Sequence, residues 1–273
     1  MSQIIIRRVR STAIALLLLL FCAGAPSAPS LPVDVFSRIS PASASPDASD
    51  RISRIVPLAE GTPIRVDATV ADVIITGSNR PDLQVQIARR APTAADLTRL
   101  APIVETKPDA VRIAVVQADE GKDANLRAEI AIASPAAAVF QAIRVFEGRV
   151  RLTNLKAACD VDLRRGPIDA MGLAGRVRLE SGIGSVDVRD TDLTPGGMLR
   201  LRVFNGPLRV RFARAPANAR ILAVTFNGRI ESDIPLTKKD QFGPRFGEAT
   251  LGSGDPVMSL DVVKGDITIA VNR

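Results

Sequence analysis

Apolar and polar residues alternate over short stretches between Ile143 and Ser232, and the alternation restarts after a recurring glycine. The units read Glu147-Gly148-Arg149-Val150-Arg151-Leu152, Gly166-Pro167-Ile168-Asp169-Ala170, Gly175-Arg176-Val177-Arg178-Leu179, Gly184-Ser185-Val186-Asp187-Val188, Asn205-Gly206-Pro207-Leu208-Arg209-Val210 and Asn227-Gly228-Arg229-Ile230-Glu231-Ser232. Side chains on a strand alternate between its faces, so residues two and four places after each glycine share one side. The first of these positions is apolar throughout: Val150, Ile168, Val186, Leu208 and Ile230. The positions between are charged or turn-forming, and glycine suits the corner because it takes positive φ without a Cβ clash.

Gly148 and Gly166 are 18 residues apart, followed by steps of 9 to Gly175, 9 to Gly184, 22 to Gly206, 22 to Gly228 and 37 to Gly265; Ala157 fills the vacant nine-residue slot. Nine residues make one strand and one turn. Two all-β architectures fit. If Asn205-Gly206 and Asn227-Gly228 are two-residue hairpin turns, the chain is an antiparallel meander or sandwich. If two units make one coil of 18 to 22 residues, it is a parallel β-helix, or β-solenoid. The periodicity leaves both open. In the solenoid, residues one coil apart stack at about 4.8 Å. Val150, Ile168, Val186, Leu208 and Ile230 then form an inward column, and Leu152, Ala170, Val188, Val210 and Ser232 form the next. An outer column runs Arg151, Asp169, Asp187, Arg209, Glu231.

Upstream, Ile64–Ala68, Val73–Thr76, Leu83–Ile87, Val111–Val115 and Arg127–Ile132 read as short strands, with Thr93 as the cap of a helical turn or two. Arg7, Arg8 and Arg10 precede an apolar run from Ala13 to Ala25 that ends in small residues. Residues 1–28 therefore read as a signal peptide, since the run is shorter than the ~20 residues of a membrane span. An uncleaved anchor is one alternative. Lipidation of Cys22 is another, although Phe21 stands where a lipobox wants a small residue. Residues 29–55, rich in Pro, Ser and Ala, read as a flexible tether, and 56–273 as one domain. The stretch from Pro235 to Asp255 breaks the repeat and is expected to be a cap or a surface loop. Lys238, Lys239, Phe242, Arg245 and Phe246 are its candidate binding residues.

Several residues then resemble a known family. Thr225-Phe226-Asn227-Gly228-Arg229-Ile230-Glu231-Ser232-Asp233-Ile234-Pro235-Leu236, Gly252-Ser253-Gly254-Asp255-Pro256-Val257-Met258-Ser259-Leu260 and Val263-Lys264-Gly265-Asp266-Ile267 resemble the putative-adhesin family of bacterial envelope β-helix domains, related to autotransporter adhesin heads. Lys264 stands where Asn is usual in that family. The resemblance implies a parallel β-helix, export to the periplasm or cell envelope, and no established enzymatic activity. Some members accompany envelope-stress regulators, which implies a signalling accessory as a further alternative.

The chain has no His, which removes His-based nucleophile activation, proton shuttling and metal ligation. With Cys22 lost in the leader, Cys159 is left alone, expected inward beside Val177 as a small buried hydrophobe, and no metal or cofactor is expected. Asp169 and Asp187, one coil apart, are the one catalytic candidate. Carboxylates about 5 Å apart suit a retaining glycosidase, so a polysaccharide-acting hydrolase or lyase is the enzymatic alternative. Against it stand the neighbouring Arg151, Arg189 and Arg209 and the lack of Trp and Tyr, with nine Phe. The formal charge of +7 falls to +4 once three of 36 basic residues leave with the leader, 33 against 29 acids. This modest excess fits an anionic envelope polymer or a membrane surface. Nucleic acid is disfavoured by export and the missing base-stacking aromatics. Self-association is expected through an uncapped final strand, Ile267–Val271.

Overall fold

The computed structural model describes residues 48–117, 125–191, 195–239 and 243–272, all within one unit, Ala44–Arg273. The expected leader and most of the expected tether lie outside these residues. The N-terminal elements are β1 (Ala48–Pro57), β2 (Pro63–Ser78), β3 (Asp82–Ala91), α1 (Ala94–Leu97), β4 (Leu100–Thr106), β5 (Val111–Gln117) and β6 (Arg127–Pro135). The repeat region contains β7 (Val139–Glu147), β8 (Val150–Thr153), β9 (Cys159–Arg165), β10 (Ile168–Met171), β11 (Arg176–Ile183), β12 (Val186–Arg189), β13 (Met198–Asn205) and β14 (Leu208–Phe212). The remaining strands are β15 (Ala219–Asn227), β16 (Ile230–Ser232), β17 (Thr237–Lys239), β18 (Arg245–Leu251), β19 (Val257–Lys264) and β20 (Ile267–Val271).

The molecule is all-β apart from α1, and its large sheet is mostly parallel and not closed. Long strands pair with long strands and short with short. β7, β9, β11 and β13 form one parallel ladder, and β8, β10, β12 and β14 form another. Strand β2 joins them: Ile64–Ala68 pairs with β7 and Val73–Thr76 with β8. The strands on either side of each corner pair with others, so Asn205-Gly206 and Asn227-Gly228 are not hairpin turns. The antiparallel pairs lie at the ends, as β1 with β3, β3 with β6, β4 with β5, and β18 with β15 and β17. Buried side chains of both ladders belong to one continuous core.

The recurring glycine is explained at the corners. A Cβ on Gly166 would lie 1.7 Å from the carbonyl oxygen of Gly148, one on Gly184 2.0 Å from that of Gly166, and one on Gly206 1.8 Å from that of Gly184. Here φ is positive, from +131° at Gly166 to +150° at Gly184, and each amide donates to the next corner, as Gly166 N to Ile183 O at 2.8 Å. No other residue meets both demands. Ser181 and Thr225, fully buried, donate their hydroxyls to the corner carbonyls of Gly166 at 3.1 Å and Gly265 at 2.9 Å, so neither hydroxyl is buried unpaired.

The predicted inward column Val150, Ile168, Val186, Leu208 is present in register and buried. Its continuation differs: Ile267, not Ile230, follows Leu208, and Ile230 follows Ile267. The outer column likewise runs from Arg209 to Thr268 before it reaches Glu231. After β14 the chain passes over one slot, builds β15 and β16 and the β17–β18 hairpin, then returns to fill the slot with β19 and β20. The final strand is therefore paired on both sides over Ile267–Ile269 and lies inside the sheet, not at the open edge expected at Ile267–Val271. Order also begins earlier than expected. β1 pairs with β3 along its length, from Ala48↔Ala91 to Pro57↔Asp82, so residues 48–55, expected in the tether, are strand. It buries only Val56, which is why no apolar alternation announced it.

Candidate functional site

Asp169 and Asp187 are Cα partners on neighbouring parallel strands, β10 and β12, as the spacing predicted. They share an open hollow of about 290 Å³ with Arg151, Thr153, Met171 and Arg189. Each carboxylate has its own guanidinium: Arg189 Nε donates to Asp187 Oδ1 at 2.8 Å, and Arg149 Nε lies 3.8 Å from Asp169 Oδ2. The hydrogen bond to Asp187 holds the Arg189 guanidinium above its ordinary pKa, helped by the charges of Asp187, Asp169 and Asp190. No aromatic side chain lines the hollow. The arrangement is a charge ladder on a solvated face.

The break in the repeat forms the β17–β18 hairpin, which extends β15 antiparallel. Lys238 Nζ donates to Ile230 O at 3.2 Å, and Arg245 Nη1 donates to Gly228 O. Two of the candidate binding cations thus satisfy carbonyls of the last corner and of β16. Lys239 and Phe246 are strand partners, with Phe246 half-buried. Phe242 and the Lys239 side chain lie outside the described residues.

Another set of residues was not singled out by the periodicity. Phe146, Phe204 and Phe226 point outward at the ends of β7, β13 and β15, two places before the corner glycines 148, 206 and 228, and they are 46%, 64% and 64% exposed. The registers put them in one outer column, Phe146, Arg164, Gly182, Phe204, Val263, Phe226. The adjoining corner column runs Glu147, Arg165, Ile183, Asn205, Lys264, Asn227, with Ile183 53% exposed. Arg165 lies over the Phe146 ring at 5.9 Å from its centroid. In these two columns Arg164, Arg165 and Lys264 outnumber the one acid, Glu147, which is 3.9 Å from Arg127, while the next outer column, farther from the corner, mixes signs as Arg144, Asp162, Glu180, Arg202, Asp261. The signal was present as Val145-Phe146-Glu147-Gly148, Val203-Phe204-Asn205-Gly206 and Thr225-Phe226-Asn227-Gly228.

Cys159 pairs with Val177 on the inward face as expected, and burial, with Asp160 nearby, pushes its thiol up to about 12. Such a thiol is a core group and not a nucleophile at neutral pH. Among the described residues no cluster of acidic or sulfur groups is arranged to hold a metal ion, and no helix is long and apolar enough to cross a membrane.

No family model and no curated protein matches the chain. Solved structures do. The fold is similar to that of a putative cell adhesion protein from Clostridium sporogenes, with a TM-score of 0.50 and 13% identity over 82% of this chain and 100% of that one. A putative adhesin from Bacteroides fragilis is similar at a TM-score of 0.42 and 16% identity, over 82% of this chain and 97% of that one. The class defined here is an all-β, mostly parallel fold shared with the first of them.

Proposed function

We propose that this chain is an exported, non-catalytic β-solenoid of the bacterial envelope, acting as an adhesin-like or scaffold module held out on its N-terminal tether. One observation carries the reading: the repeat fills its interior with aliphatic side chains and the two rings of Phe140 and Phe212, and keeps its charged groups, with Phe146, Phe204 and Phe226, on open outer columns that suit a large partner and enclose no small substrate. The parallel registers of the two ladders favour a two-sided coil that turns at the glycine column. The fold likeness to a protein described as adhesive supports the binding role.

The polysaccharide-cleaving reading has the adjacency of Asp169 and Asp187 in its favour. It lacks an enclosed cleft, and each carboxylate is matched by an arginine. Fractionation of bacteria expressing the full chain tests the proposal. Recovery in the periplasm or on the envelope, with no glycan cleavage by the purified protein, is the expected result. Recovery in the cytoplasm, or cleavage abolished by D169A/D187A, contradicts it.

A further inference from the structure

We infer that the Phe146–Phe204–Phe226 column is a docking ridge for an anionic lipid surface, an assignment that rests on the envelope reading above. Three of the chain's nine Phe, in a sequence with no Trp or Tyr, occupy the same place relative to a corner glycine and point into solvent. No packing role accounts for them, because each strand buries its alternate residues, Val145, Val203 and Thr225, instead. From Phe146 to Phe226 the column crosses five strand steps, a straight line of about 24 Å. A straight line of side chains meets a plane all at once. Ile183, exposed in the adjoining column, adds apolar area between Phe146 and Phe204.

Charge complementarity selects the occupant. Arg164 stands in the column itself, while Arg165 and Lys264 stand beside it at the corner edge, where the one acid, Glu147, lies 3.9 Å from Arg127; the acids Asp162, Glu180 and Asp261 stand on the side away from the corner, with Arg144 and Arg202 among them. Apolar rings interleaved with cations suit a surface whose acyl boundary accepts the rings and whose phosphates accept the cations. The spacing argues in the same direction. Phe146 and Phe204 are about 14 Å apart and Phe204 and Phe226 about 10 Å. That irregular interval fits a fluid lipid surface better than a polymer of fixed repeat. Phe also lacks the hydroxyl or N–H with which aromatic sugar platforms fix a glycan.

The test is co-sedimentation of the protein, as recovered from the expressing cell, with vesicles of phosphatidylglycerol in phosphatidylcholine and with phosphatidylcholine alone. The wild type is expected to bind the anionic vesicles, more weakly as salt is raised. F146S/F204S/F226S lowers its partitioning by about tenfold or more, and R164Q/R165Q/K264Q lowers it and flattens the salt dependence. All six positions are on the outer side, and circular dichroism checks that the fold is kept. Should the triple Phe variant lose its fold, the single variants F204S and F226S carry the same reading at smaller amplitude. Failure of the wild type to bind, equal binding by the Phe variants, or Phe-dependent binding to dextran sulfate without vesicle binding each overturns the inference. Any of these, with the protein still on the envelope, leaves the functional reading intact; cytoplasmic recovery removes that reading whatever the vesicles show.

Discussion

Gly265 stacks directly on Gly206, although 59 residues separate them in the chain: a Cβ on Gly265 would lie 2.0 Å from the Gly206 carbonyl oxygen. Gly228 in turn stacks on Gly265, where an added Cβ would lie 1.8 Å from its carbonyl oxygen. The corner column therefore runs 206, 265, 228, and the C-terminal strands complete the interior of the sheet.

Replacing a column glycine should be far more costly than replacing a turn glycine. Gly184 combines φ of +150° with a Cβ position 2.0 Å from backbone, whereas Gly61 has φ of +75° and open space around it. Gly61→Ala is expected to cost about 1 kcal/mol, the left-handed strain alone. Gly184→Ala adds a backbone clash and should cost about 3 kcal/mol or more. Urea unfolding of both variants measures the gap; equal losses would show that the stacked approach is not tight.

Stability should fall at high pH through Cys159. Burial raises the thiol from an unfolded value of 9.0 to about 12, so between these pH values the folded state holds a proton that the unfolded state has released. The unfolded state then binds fewer protons, and stability decreases as pH rises through that window. Below it the contribution is fully present. Cys159→Ala should flatten this part of the pH profile relative to wild type, and the native thiol should resist labelling at pH 8. Rapid labelling of the folded protein would contradict its buried placement.

The paired aspartates should prove dispensable to the fold. Asp169 and Asp187 are half-buried, like-charged neighbours, each with an arginine that is itself half open to solvent. D169N/D187N should shift Tm by no more than about 3 °C, because ion pairs to arginines half open to solvent contribute little and removing the repulsion offsets their loss. A large drop in a thermal melt would mean that the ladder holds the register.

The legible part of this fold was its corner. The glycine column imposes one chemical demand at every turn, so Gly148, Gly166, Gly184 and Gly206 announced both the repeat and its inward faces. Cys159 and Val177, and Asp169 and Asp187, were paired correctly on that basis. Strand direction was not legible, because alternation looks the same in parallel and antiparallel strands. Nor was the return of β19 and β20, since the 37-residue step to Gly265 reads equally as an added final coil. β1 escaped because an edge strand that buries one residue has no period, and β4 carries Pro102 on a similar edge. The Phe column was written in the sequence at the outward positions, where apolar residues are not sought by a search for the core.

Cysteine cross-linking across the short-strand ladder tests the strand order most directly. In a background with Cys22 and Cys159 replaced by Ala, the variant R209C/T268C places two outward Cα partners on adjacent strands, and R209C/E231C places them on strands separated by β20. A disulfide needs Cα atoms within about 7 Å, which adjacent strands satisfy and strands about 10 Å apart do not. Oxidation is predicted to close the first pair within one chain and leave the second open. Closure of R209C/E231C with R209C/T268C left reduced would contradict the inserted C-terminal strand.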